Sequence, residues 1–186
     1  MINIAIIGLG YWGPNLLRNF NKNERCNVLK VCEKNPKIIN NFAYEHKDII
    51  FTTSLDEVLN DKNIDAVVIA TPISTHYKIA IASLKKGKHV FIEKPLADTV
   101  KKCESLISLA KKNSLCLFVD HTFLYTEAVN KIKSISSKKD FGEMMYYDST
   151  RINLGLIQND VNVLWDLAVH DLAILNFITN DKPKLV

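Results

Sequence analysis

The sequence predicts an α/β protein, a doubly wound parallel sheet followed by the beginning of a second α/β domain. Three observations carry that reading. Short β-branched runs recur at residues 2–7, 28–32, 49–52, 66–70, 90–92 and 115–119, as strands do. Longer amphipathic stretches separate them, the rhythm of parallel strands joined by crossover helices. Beyond residue 120 the rhythm changes to a helix at 127–136, a strand at 144–152 and a helix at 163–178. The chain therefore divides into residues 1–120 and 121–186.

The helix boundaries have local causes. Pro14 suits a first helical turn, and Ser54-Leu55-Asp56-Glu57 is a capping box. Asp98 precedes the run to Lys112, while Gly87 stops the helix that ends in Lys85-Lys86. With 47% hydrophobic and 24% charged residues in 186, there is apolar surface for one good core and not for two full domains. The net charge of +4 comes largely from dispersed lysine pairs at helix ends, which is a solvated surface and not a nucleic-acid footprint. It adds a weak attraction for anionic substrates.

Cys26, Cys32, Cys103 and Cys116 lack a Cys-x-x-Cys spacing and read as buried, reduced thiols. No metal-ligand pattern is present. The first residues form a strand and not a signal peptide, and no run approaches a membrane span, so a cytoplasmic protein is expected. The end, Lys184-Leu185-Val186, reads as the opening of a further strand in a truncated chain.

Gly8-Leu9-Gly10-Tyr11-Trp12-Gly13 follows a strand and opens a helix, the setting in which Gly-x-Gly-x-x-Gly binds a dinucleotide. Gly8 permits the tight turn, Gly10 lets backbone approach the pyrophosphate, and Gly13 lets helix pack on strand. Tyr11 and Trp12 belong to the same cofactor-binding loop. Glu33 follows the second strand, where a carboxylate accepts from the adenosine ribose and repels a 2′-phosphate. NAD is therefore expected, with NADP as the alternative because Lys34 adjoins; an ordinary surface glutamate is the competing reading of Glu33.

Ligands of open α/β sheets bind at the carboxyl ends of the strands. The fourth strand runs into Thr71 and Pro72, expected to line the cofactor, and then His76, either a ligand contact or a structural histidine. The fifth ends in Glu93-Lys94-Pro95, placing a lysine by the nicotinamide before a proline that could be cis; a surface Glu-Lys ion pair is the alternative. Asp120-His121-Thr122 ends the sixth, with His121 a candidate for substrate. Asp166 and His170 lie four apart on an apolar helix and share a face, as a catalytic pair or a satisfied structural one. Arg151 and Asn153 are candidates for substrate recognition, Arg151 through bidentate contact with phosphate or carboxylate, or else as a surface ion pair.

Together these motifs resemble the glucose-fructose oxidoreductase and inositol dehydrogenase (Gfo/Idh/MocA) family across essentially the whole chain. The matching stretches are Gly8 to Gly13, Ala70-Thr71-Pro72 with Ser74-Thr75-His76, Glu93-Lys94-Pro95, and Trp165-Asp166-Leu167-Ala168-Val169-His170-Asp171. The resemblance implies a Rossmann domain over 1–120, an incomplete catalytic domain over 121–186, a catalytic Lys94, and a catalytic Asp166 and His170. It implies an NAD(P)-dependent dehydrogenase acting on a secondary alcohol of a sugar, and a homo-oligomer when full length. The Gly-Tyr-Trp-Gly-Pro-Asn and Arg-Ile-Asn-Leu-Gly stretches resemble members that oxidise UDP-N-acetylamino sugars at C3 for polysaccharide synthesis. An inositol or free-sugar dehydrogenase and a non-catalytic nucleotide-binding fragment are the alternatives.

Overall fold

A computed structural model describes residues 1–152, 161–181 and 183. The chain separates into two compact units, Met1–Asp120 and His121–Val186.

The first unit holds β1 (Ile2–Ile7), β2 (Cys26–Cys32), β3 (Ile50–Thr52), β4 (Ala66–Ile69), β5 (His89–Glu93) and β6 (Leu117–Asp120). They form one parallel sheet in the order β3-β2-β1-β4-β5-β6. Helices α1 (Gly13–Asn21), α2 (Pro36–Ala43), α3 (Leu55–Leu59), α4 (Ile73–Lys85) and α5 (Val100–Lys112) make the crossovers. This is the Rossmann arrangement, and the strand order reverses between β1 and β4, where a crevice opens at the carboxyl ends.

The pleat explains why the sheet is coated on both faces. Along β1, Ile4 and Ile6 join a core with Leu16 and Leu17 of α1, Val28, Val31 and Val68. The intervening Ala5 and Ile7 join another with Ile69, Ile92, Leu84 of α4 and Leu106 of α5. A one-residue slip of β1 would exchange these two sets.

The expected helix signals are present, with one shift: Thr99, and not Asp98, caps α5 by accepting from the Lys102 N–H. The cysteines correct an expectation. Cys32 is buried, and burial pushes its thiol up to about 11, but Cys26 and Cys103 are only half-buried, and Cys116, just ahead of the edge strand β6, is exposed.

The second unit begins with a 3-10 turn, Thr122–Tyr125, followed by α6 (Glu127–Ser136), a 3-10 turn Lys139–Phe141, a π-helical turn Leu164–Ala168 and α7 (Val169–Thr179). The strand expected at 144–152 is absent among the described residues. Alternating side chains give extended backbone, but a strand also requires a ladder partner for its N–H and C=O groups. The helix expected from 163 is divided between the π turn and α7, which ends at Asn180 in the left-handed conformation, φ 54°. No helix among the described residues is long and apolar enough to cross a membrane.

Candidate functional site

The glycine turn at the end of β1 is shaped by backbone contacts. Gly8 has φ +97°, and a Cβ there would lie 2.6 Å from the Ala70 carbonyl oxygen. Its N–H donates to the Cys32 carbonyl at 2.8 Å, tying the turn to β2. A Cβ on Gly13 would lie 2.2 Å from the Gly8 carbonyl oxygen, so helix and turn touch where only glycine fits. Gly10 is exposed and a Cβ there meets nothing within 4 Å, which is the open approach a phosphate needs. Helix α1 then starts with no side-chain cap and no acidic residue in its first turn. Its N-terminal N–H groups and dipole suit an anion. Tyr11 and Trp12 stand exposed on the turn, edge to face at 5.2 Å. These residues fit a dinucleotide pyrophosphate.

Glu33 is more constrained than an ordinary surface glutamate. Its Oε2 accepts from the Leu9 N–H at 2.8 Å and its Oε1 from the Asn35 N–H at 2.9 Å. The carboxylate therefore links the glycine turn to the residues after β2. Each oxygen retains a lone pair for a ribose hydroxyl.

On the other side of the crevice, half-buried Thr71 bonds through its hydroxyl with Thr75 at 2.7 Å, and exposed Pro72 starts α4. His76 is buried, with Nδ1 2.8 Å from the Pro95 carbonyl oxygen and Nε2 2.8 Å from that of Thr71. Both ring nitrogens thus face backbone carbonyls. Glu93 is buried, and Lys94 is half-buried with a cis bond to Pro95. Glu93 pairs in register with Asp120 of β6. Burial first, and then repulsion from Asp120, push the Glu93 carboxyl up to about 7.

In the second unit, Asp166 lies in the π turn and His170 in the first turn of α7. The π turn bonds i to i+5, so the four-residue step from Asp166 to His170 begins in π and ends in α geometry. Buried His170 meets the Phe123 ring edge-on, with centroids 4.7 Å apart. Arg151 does not project freely: its Nε and Nη2 each donate to Asp171 at 3.0 Å. Its guanidinium also lies 4.7 Å from the Phe123 ring centroid. Arg151 first, with Ser149 assisting, holds the Asp171 carboxyl below the usual range. Half-buried His121 lines a cavity of about 520 Å³ with Leu124, Val169 and Phe177. Asn153 lies outside the described residues. Asp171 and Phe123 join these side chains without a motif of their own, their only sequence signal being that Asp171 directly follows His170 and Phe123 closely follows His121.

The chain is similar to inositol 2-dehydrogenase of Salmonella typhimurium, 24% identical over 194 residues that cover 100% of this chain and 56% of the relative. It is similar to 2,7-anhydro-N-acetylneuraminate hydratase of Escherichia coli, 29% identical over 145 residues, 78% of this chain and 38% of the relative. A crystal structure of an NAD-binding protein from Listeria innocua matches with a TM-score of 0.86 and 27% identity, over 95% of this chain and 54% of that one. The chain thus spans about half the length of such relatives. The model of the Gfo/Idh/MocA oxidoreductase family, NAD-binding Rossmann fold, matches residues 2–121, and the chain belongs to that family.

Proposed function

We propose that the complete protein is an NAD(P)-dependent dehydrogenase oxidising a secondary alcohol of a sugar, with a UDP-N-acetylamino sugar oxidised at C3 as the substrate. The observation that carries the cofactor half is the glycine turn, open at Gly10 and closed to any side chain at Gly8 and Gly13. Gly8, Gly10, Tyr11, Trp12 and Gly13 hold the pyrophosphate, Glu33 the ribose, and Thr71 and Pro72 the wall towards the nicotinamide. When bound, the nicotinamide supplies C4 as hydride acceptor.

The protein side of the chemistry is proton handling. His170 takes the hydroxyl proton, a task suited to a side chain that titrates near neutrality. Asp166 orients its imidazole and stabilises the cation. Lys94 donates a hydrogen bond to the oxygen that becomes the carbonyl. Arg151 serves substrate recognition by holding Asp171 beside His170, since its donors are already directed at that carboxylate. A cyclitol or free sugar is the second reading, favoured by the match to inositol 2-dehydrogenase along the whole chain.

Calorimetric titration of the chain with NAD and NADP tests the cofactor; NAD is expected to bind more tightly, and a folded sample binding neither would sink the reading. The complete protein is then offered NAD with UDP-sugars, free sugars and inositol while NADH absorbance is followed. Reduction by one class assigns the substrate, and NAD binding without turnover on any of them marks a non-catalytic nucleotide-binding module. Unchanged turnover in Lys94→Ala or His170→Ala would refute the roles given to those residues.

A further inference from the structure

We propose that His76 is a positioning residue for the turn that carries Lys94: its imidazole bears a proton on both ring nitrogens and clamps Pro95 to Thr71. The ring is 1% exposed. Its Nδ1 and Nε2 each lie 2.8 Å from a backbone carbonyl oxygen, of Pro95 and of Thr71. Carbonyl oxygens only accept, and a neutral imidazole owns a single N–H. A neutral ring would set one nitrogen lone pair against an oxygen lone pair at hydrogen-bonding distance, away from water. Protonation on both nitrogens converts both contacts into charge-assisted donations, which offset the desolvation of the cation.

The two carbonyls belong to the walls of the proposed cofactor site. Thr71 follows β4 by two residues, and Pro95 directly follows Lys94. Helix α4, which carries His76, packs on β4, β5 and α5. Strand β4 has no ionisable residue, β5 ends at buried Glu93 beside Lys94, and the start of α5 brings Lys101, Lys102, Cys103 and Glu104. The clamp thus joins two strand ends by one side chain, fixing Lys94 relative to Thr71 without occupying the crevice. The positioning role rests on the proposed function; the protonation of the ring does not.

The test is NMR of the chain labelled with ¹⁵N-histidine, recorded without NAD. At neutral pH one ring is expected to show slowly exchanging protons on both nitrogens, a pattern that His76→Gln removes. A ring at position 76 with one protonated nitrogen overturns the proposal. NAD titrations then compare the wild type with His76→Gln, which retains amide donors, and His76→Leu, which has none. Loss of hydrogen bonds from a charged donor predicts about tenfold weaker NAD binding in the Leu variant, partly recovered in the Gln variant. Equal affinities in three folded proteins overturn the positioning role. Absence of NAD binding by the wild type would remove the proposed function while leaving the ring-proton result to decide the clamp.

Discussion

Two glutamates at strand ends, Glu33 just after β2 and Glu93 at the end of β5, are held in contrasting ways. Glu33 receives backbone N–H groups from Leu9 and Asn35, so its charge is met by the turn it organises. Removing that carboxylate loosens the Leu9 amide and deletes the proposed ribose contacts together, and Glu33→Ala is expected to weaken NAD by roughly tenfold to a hundredfold, as calorimetry would register. Glu93 is buried and faces Asp120 in register, which lifts its carboxyl to about 7. A carboxyl raised in the fold favours the folded state while protonated, and that advantage is lost as pH rises from the ordinary glutamate range through about 7. Glu93→Gln is therefore expected to gain about 1–3 kcal/mol over the wild type above that window and little below it. Urea denaturation at pH on either side reads the difference, and a variant equally displaced at both would contradict the buried-acid account. At Gly13 the argument is steric. Gly13→Ala puts a methyl 2.2 Å from the Gly8 carbonyl, so stability is expected to fall by about 1–3 kcal/mol, with loss of NAD binding.

At the scale of elements, the capping box at α3 shows how far local rules reach. Ser54 accepts from the Glu57 N–H at 3.4 Å, as the motif requires. The reciprocal half is relayed: Glu57 Oε2 accepts from the Thr52 hydroxyl at 2.7 Å, and Thr52 Oγ1 accepts from the Ser54 N–H at 3.0 Å. Thr52 is buried at the end of β3, so the relay joins strand to helix. Ser54→Ala should cost about 1 kcal/mol, the usual value of a cap. Thr52→Val should cost more, because it removes the hub and leaves Glu57 and the Ser54 N–H unmet; denaturant midpoints order the two. The strands, the crossover helices and the glycine turn were legible because periodicity and turn chemistry are local. The His76 clamp and the Glu33 brace were not, since both depend on which strand ends the fold brings together. The π turn under Asp166 was invisible to a pattern that assumes α-helical spacing, and 144–152 showed strand patterning without the partner that makes a strand.

For the whole molecule, the two units differ in how much they bury by themselves. Met1–Asp120 has both faces of its sheet covered by its own helices, with cores built around Ile6 and Leu17 on one face and Ile69, Leu84 and Leu106 on the other. The unit His121–Val186 leaves Phe141, Met145, Tyr146, Ile152, Val163, Leu164 and Leu172 exposed. Every residue assigned to NAD lies in the first unit, from Gly8 to Lys94. We therefore expect a chain of residues 1–120 to fold by itself as the nucleotide-binding domain and to melt cooperatively. With recognition confined to this unit, its NAD affinity should stay within about twofold of the longer chain. Lys94 and the His76 clamp should persist in it, whereas His170, Asp166 and the Arg151–Asp171 pair are removed. Binding of NAD by residues 1–120 with no turnover of any sugar would locate recognition in this unit and place the need for a proton acceptor in residues beyond it. A chain of 1–120 that is unfolded, or folded without NAD binding, would instead make the later residues part of the dinucleotide site.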